Sequence, residues 1–307
     1  MPRSQLIVLV GPTAVGKTQW AIRLAKHYQT EVVSADSRQV YKEMSIGTAV
    51  PTNNELKQVP HHLIQHRSIT DTYSVGEYVK EAEATLEKLF EQNEIVIMAG
   101  GSGLYVQGLL FGLDEFPEID PKIREDLNAI FEIHGLSELQ QMLEKEDPDY
   151  YEQVDLKNPH RVIRALEVSL GSNRPYSSYL GKKKVSHTYD ISLIGLEMDR
   201  ELLYSRINQR VDNMMAAGLL DEVKALKKHQ NINALHTVGY TELFKYLDGT
   251  LSLEDSVEEI KKNTRRFAKR QGTWFRKMAE IHWIPWNTPE SDFINQIEIL
   301  IQKRHEY

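Results

Sequence analysis

The chain contains no cysteine, which removes disulfides, thiolate metal sites and a cysteine nucleophile together; any metal has to be held by oxygen or imidazole. Long apolar runs are also missing. The longest near the N-terminus, residues 6–10, is too short for the apolar segment of a secretory signal or for a membrane span, so a cytoplasmic protein with no membrane partner is expected. No internal repeat or low-complexity tract stands out. What is present is 307 residues, 41% of them apolar, enough for one large domain or a core carrying an inserted second domain.

A net charge of −7 argues against a nucleic-acid partner until it is divided along the chain. Residues 114–155 hold fourteen acids against Lys122, Arg124 and Lys145, a net of −11, which leaves +4 elsewhere. Within that remainder, residues 261–277 carry eight Lys and Arg and no acid. The two signs are segregated, so the whole-chain value says little about partners.

Residues 4–10 form a β-branched and leucine-rich run of strand length, followed at once by GPTAVGKT (11–18) and then by helical spacing of Trp20, Ile22, Leu24 and Ala25. Residues 31–35 and 94–99 read as further short strands, with a helix over 75–90 between them. Strands alternating with helices predict an α/β fold, a P-loop NTPase-like parallel sheet flanked by helices, with ligands at the carboxyl ends of the strands. Residues 11–18, 36–41 and 100–105 fall at those ends. Beyond 113 the pattern turns to acidic helices over 121–131, 136–145 and 158–170. The last has Asn158 as N-cap, Pro159 at the first helical position and Gly171 just past the end. ISLIGLEM (191–198) reads as a strand that rejoins the sheet. The expected organisation is a core of residues 1–113 and 189–307, with helices over 199–217, 219–228 and 252–275 returning to it, and a mainly helical insertion domain over 114–188.

Gly11, Gly16, Lys17 and Thr18 match G-x-x-x-x-G-K-[ST]. The loop Gly11, Pro12, Thr13, Ala14, Val15, Gly16, Lys17 and Thr18 is therefore a phosphate site: backbone N–H groups cradle the oxygens, Lys17 adds a cation, and the Thr18 hydroxyl is the candidate ligand for Mg2+. The loop alone does not identify the reaction and is compatible with ATP. A nucleotide hydrolase of this class carries a second acid at the end of a later strand, but here that strand ends in Gly100-Gly101-Ser102-Gly103. A carboxylate stands instead at Asp36. It reads either as a turn or N-cap residue or as a base facing the phosphates.

GPTAVGKT, SADSRQVYKEMSIGTAVPT, VPHHLI, MAGGSGLYVQGLL, NPHRVIRALEV, RVDNMMAAGLLDEV, VGYTEL and RRFAKRQGTWFRK, in that order from about residue 5 to residue 280, resemble the motif set of the tRNA dimethylallyltransferases, also called tRNA isopentenyltransferases. The resemblance implies an enzyme of the short bacterial type, since nothing like the zinc finger of some members follows Trp286. It would transfer a dimethylallyl group from dimethylallyl diphosphate to the N6 amine of the adenosine just 3′ of the tRNA anticodon, releasing diphosphate, with Mg2+ as cofactor and the chain acting as a monomer.

In that scheme Lys17 neutralises charge developing on the leaving group and Asp36 takes the amine proton. Ser102, where the family usually has threonine, supplies a hydroxyl near the amine, and Arg210 reaches the diphosphate, with Arg206 one turn earlier as the alternative. Adenine in a stacked loop has to be extruded to react. The resemblance assigns tRNA contacts to Asp36, Ser37, Arg38, Gln39, Ser102, Arg124, Pro159, His160, Arg161, Val162 and Ile163.

The basic segment places Lys261, Arg265 and Lys269 on one helical line and Lys262, Arg266 and Arg270 on the next, a double stripe suited to a phosphate backbone. Arg265, Arg266, Lys269 and Arg270 are its candidate RNA contacts, while Phe267, Trp274 and Phe275 read as core. Adjacent His61 and His62 point to different sides with no evident carboxylate partner, so no metal is expected there. Two other readings share the loop: a small-molecule or nucleoside kinase with an inserted lid, and an RNA-binding module that uses nucleotide only structurally.

Overall fold

The computed structural model describes residues 4–181, 185, 187–278 and 280–305. In chain order its elements are β1 (Gln5–Val10), α1 (Lys17–His27), β2 (Val32–Ser34), α2 (Asn53–Leu56), β3 (His61–His62), α3 (Val75–Phe90), β4 (Ile95–Gly100), α4 (Gly103–Phe111), α5 (Pro121–His134), α6 (Leu136–Glu146), α7 (Pro148–Tyr151), α8 (Pro159–Ser172), β5 (Asp190–Glu197), α9 (Arg200–Ala216), α10 (Leu219–Ala225), α11 (Tyr240–Leu247), α12 (Leu253–Phe275), β6 (His282–Pro285) and α13 (Glu290–His305).

The strands form one parallel sheet in the order β3-β2-β4-β1-β5-β6. β1 is buried throughout, and its successive side chains feed opposite faces, as the pleat requires. Ile7 and Leu9 join Trp20 and Leu24 of α1 and Phe293 of α13 on one side. Leu6, Val8 and Val10 join Tyr78 and Leu86 of α3 and Leu109 of α4 on the other. α3 shows how local sequence sets a boundary. The Ser74 hydroxyl accepts from Glu77 N while the Glu77 carboxylate accepts from Ser74 N, a capping box, and Tyr78, Ala82, Leu86 and Leu89 then fall on the buried face.

A third cluster joins α9, α10, α11 and α12 to Val40, Tyr41 and Met44 in the segment after β2. Glu222 of α10 anchors that segment by accepting from the backbone N–H of Ser45, Ile46 and Gly47 and from the Tyr240 hydroxyl. β3, β6 and α11 were not expected. The two strands are short edge elements without enough residues for a period, and α11 follows a loop rich in turn residues.

The chain divides into two compact units, Met1–Leu110 with Ser186–Tyr307, and Phe111–Val185; the expected insertion, 114–188, lies slightly C-terminal of the second. In that unit α5, α6 and α8 bury Leu127, Leu139, Leu143, Val162, Ile163 and Leu166. α8 does not stop before Gly171. It runs through to Ser172 and is closed by Asn173 in the left-handed conformation, φ 52° and ψ 34°. Glycine is needed at 171 for another reason: a Cβ there would lie 2.5 Å from Ile119 Cγ2. Gly171→Ala is therefore expected to destabilise this unit by roughly 1–3 kcal/mol through overpacking. An unchanged urea midpoint would show that Ile119 yields freely. Among the described residues no helix is long and apolar enough to cross a membrane.

Candidate active site

The ends of β1, β2 and β4 bring together three segments predicted to act jointly. Residues of 11–18, 36–39 and 99–102 line one cavity of about 950 Å³, at the upper end for a small-ligand site. Gly100 makes the approach possible, because a Cβ there would lie 2.1 Å from the Ala35 carbonyl oxygen. The N-cap of α1 is Gly16, left-handed at φ 111°, and no side chain caps the helix. Its first N–H groups are thus left for an anion.

Lys17 Nζ donates to the carbonyls of Gly11 (2.9 Å) and Pro12 (2.8 Å). Burial pulls its pKa down to about 8, opposed by the Asp36 carboxylate and assisted by Arg210. Arg210 is itself lowered by burial, with Asp36 raising it and Arg206 lowering it. Lys17, Arg210 and Asp36 therefore form one electrostatic group. Arg206 lines the same cavity, lies over the Trp286 ring at 4.8 Å, and carries an Nη2 3.9 Å from where a Cβ on Gly16 would sit.

The turn reading of Asp36 holds for one of its oxygens. Oδ1 accepts from Arg38 N (2.9 Å) and Gln39 N (3.3 Å) and caps the turn. Oδ2 takes no hydrogen bond among the described residues. Ser102 Oγ accepts from Ser37 N (2.7 Å) and donates to Ser37 Oγ (3.0 Å), so the hydroxyl that the resemblance puts near the amine also holds the neighbour of Asp36. Arg38 donates to the carbonyls of Asn233 and Ala234, and Gln39 to those of Thr48 and Ala49. These ties secure the loop at the cavity wall.

Sequence reasoning missed Gln271 on α12. Its Oε1 accepts from Thr13 N (2.8 Å) and its Nε2 donates to the Gly101 carbonyl (3.0 Å). A single glutamine has no sequence signature. It also missed the wall formed by residues 47–52 and 236–242, where buried Glu242 accepts from Gly239 N and Asn263 Nδ2. The motif VGYTEL was the available signal.

The double stripe of α12 is only partly open. Lys261 pairs with Asp212 and Glu258, Lys262 with Glu259, and Arg265 donates to Asn208 of α9 at 2.6 Å. Arg266, Lys269 and Arg270 are exposed. Phe275 is buried as expected, but Phe267 and Trp274 are 41% and 37% exposed and are not core. Phe267, Arg270 and Gln271 share a helical face that lines the cavity, a third environment that polar-versus-apolar patterning does not distinguish.

In the other unit, Arg124 and Arg164 both bind Oε2 of buried Glu167, at 2.9 and 3.0 Å, so Arg124 ties α5 to α8. Val162 and Ile163, expected at RNA, are buried in the unit's core and their side chains are closed to a partner. His160 and Arg161 are exposed, and Pro159 partly so. His62 does have a carboxylate partner, Glu31 on the entry to β2, while His61 Nδ1 contacts the Val59 carbonyl.

Among the described residues no group of three or more His, Asp or Glu could hold a metal. A cation that takes few protein oxygens and completes its shell with phosphate and water, as Mg2+ does, fits Thr18 Oγ1 in the first turn of α1, which takes no hydrogen bond among the described residues.

The profile of the family described as "IPP transferase" matches residues 39–278. A tRNA dimethylallyltransferase from Flavobacterium johnsoniae is 52% identical over 298 residues, covering 95% of this chain and 96% of the relative. The crystal structure of a full-length tRNA isopentenylpyrophosphate transferase from Bacillus halodurans superposes with a TM-score of 0.72 at 36% identity, covering 99% of this chain and 97% of that one. A eukaryotic dimethylallyltransferase described as acting on tRNA superposes with a TM-score of 0.78 at 28% identity, covering 95% and 77%. These similarities do not favour the kinase reading.

Proposed function

We propose, because this chain belongs to the IPP transferase family of tRNA dimethylallyltransferases, that its cavity holds dimethylallyl diphosphate on the 11–18 loop and the adenosine 3′ of a tRNA anticodon beside Asp36. The N6 lone pair attacks the allylic C1, the C–O bond breaks with its electrons passing to the departing diphosphate, and the N6 proton passes to Asp36 Oδ2. Lys17 and Arg210 oppose the charge appearing on the leaving group. Arg206, stacked over Trp286 at the same wall, supports them. The Thr18 hydroxyl would hold Mg2+, which would supply further neutralisation of the diphosphate.

The observation that carries this reading is the division of labour within one carboxylate: Oδ1 fixes the turn, and Oδ2 takes no hydrogen bond among the described residues while a lysine and an arginine feel its charge. A base of this kind must be placed within hydrogen-bond reach of its proton. The test is to incubate the protein and Mg2+ with unmodified anticodon stem-loop RNA and either dimethylallyl diphosphate or ATP, then to weigh the nucleosides. Gain of one C5 unit on adenosine, only with the prenyl donor, is expected; ATP consumption with small hydroxyl substrates and no gain would return the kinase reading to first place.

RNA docking is assigned to the open part of α12. Arg266, Lys269 and Arg270 changed together to alanine should weaken RNA binding and flatten its salt dependence by about two units of slope. An unchanged slope would mean that this helix does not touch the backbone.

A further inference from the structure

We infer that Gln271 is a positioning residue for this reaction, a strut whose one amide sets the spacing between the diphosphate loop and the strand end that holds the base. The inference rests on the function proposed above. Gln271 is buried, 8% exposed, and its two polar atoms go to different segments: Oε1 to Thr13 N in the loop and Nε2 to the Gly101 carbonyl at the end of β4. The hydroxyl of the next residue, Ser102, accepts from the Ser37 backbone N–H and donates to the Ser37 hydroxyl, and Asp36 precedes Ser37. A Cβ built on Gly101 would meet Gln271 Nε2 at 2.4 Å and Lys17 Nζ at 3.6 Å, so the amide lies against the same backbone that faces the lysine. One line of contacts thus runs from the leaving-group loop, through Gln271, to the turn that presents Asp36 Oδ2.

The chemistry of the side chain is specific. The position requires an acceptor toward an N–H and a donor toward a carbonyl at one reach, which a carboxamide supplies. Glutamate would set an acceptor against the Gly101 carbonyl and add a negative charge near Lys17. Methionine would fill the space and make neither bond. The strut also originates on α12, which carries the exposed Arg266, Lys269 and Arg270, so the helix assigned to the RNA is the helix that holds the diphosphate loop.

The experiment is single-turnover prenyl transfer to anticodon stem-loop RNA, with Mg2+ and saturating dimethylallyl diphosphate, for the wild type, Gln271→Met and Gln271→Glu. Dissociation constants for donor and RNA and the thermal midpoint are measured alongside. A misplacement of about 1 Å costs on the order of a hundredfold, so Gln271→Met should lower the saturated rate roughly ten- to a hundredfold, with both dissociation constants within about threefold of wild type. Gln271→Glu, nearly isosteric and able to keep the bond from Thr13, should lose at least as much. In an Asp36→Asn background, Gln271→Met should add less than about threefold, because groups acting through one another are not additive.

A rate within about twofold of wild type in both variants would overturn the inference. So would a loss confined to binding or to the thermal midpoint, or a full multiplicative loss in the Asp36→Asn background. No transfer by the wild type would overturn the functional reading itself, an outcome distinct from wild-type activity that ignores Gln271.

Discussion

Asp36→Asn is expected to lower the single-turnover rate by on the order of a hundredfold or more, the usual range for a general base, while leaving RNA affinity near wild type. The substitution is clean for a structural reason. The Asn carbonyl oxygen can accept the same N–H groups of Arg38 and Gln39 that Oδ1 accepts, and asparagine caps turns as well as aspartate does. The change therefore removes proton acceptance at Oδ2 without releasing the loop. It has one electrostatic side effect. Asp36 raises the pKa of both Lys17 and Arg210 against the effect of burial, so its loss lowers Lys17 further, and the comparison has to be made with saturating donor at pH 7 or below. A rate close to wild type under those conditions would take Asp36 out of the base's role.

Lys17→Met is expected to cost a comparable amount, about a hundred- to a thousandfold in rate, the range seen when one preorganised donor to developing negative charge is removed. Donor affinity should fall with it, because the diphosphate is charged before the bond breaks as well as after. With its pKa near 8, Lys17 is protonated below that value and increasingly neutral above it. Affinity of the wild type for dimethylallyl diphosphate should accordingly be flat below about pH 8 and weaken above it, approaching tenfold per pH unit as the charged fraction falls. Lys17→Met should bind weakly with no such limb, and a flat wild-type profile to pH 9.5 would contradict the assignment. Stability moves the opposite way. The folded pKa lies below the ordinary 10.5, so the native state holds the lysine charge at a cost that is full below about pH 8 and fades as the pH rises toward 10.5. At pH 7 Lys17→Met should therefore melt higher than wild type while being nearly inactive, the signature of a charge kept for function.

The motifs carried the family, the parallel sheet and the segments that meet at the cavity, for a common reason. Each is a local arrangement in which neighbouring residues act through backbone geometry. The run of residues 5–10 feeds both faces of a covered sheet, the glycine loop opens a helix, and the Ser74 and Glu77 pair starts α3; each needs only its own neighbours. The same locality made Asp36 visible, although two roles were open for it, and the structure assigns one carboxylate oxygen to the turn and leaves the other without a hydrogen bond among the described residues.

What the sequence could not contain was which side of an element meets which partner across large separations in the chain. The resemblance assigns Val162, Ile163 and Arg124 to the RNA, yet the first two are core and the third is committed to buried Glu167. Lys261 and Arg265 lie on the basic stripe but are met by Asp212 and Asn208 of α9. Phe267 and Trp274 have the composition of core residues and stand exposed. Gln271 is ordinary in composition and becomes informative only when Thr13 and Gly101, more than a hundred and fifty residues away in sequence, arrive on either side of its amide. Sequence by itself determined the chemistry available, because residue type and short spacing are local properties. Tertiary structure decided which of those groups are free to use it, because burial and pairing depend on segments that only folding brings together.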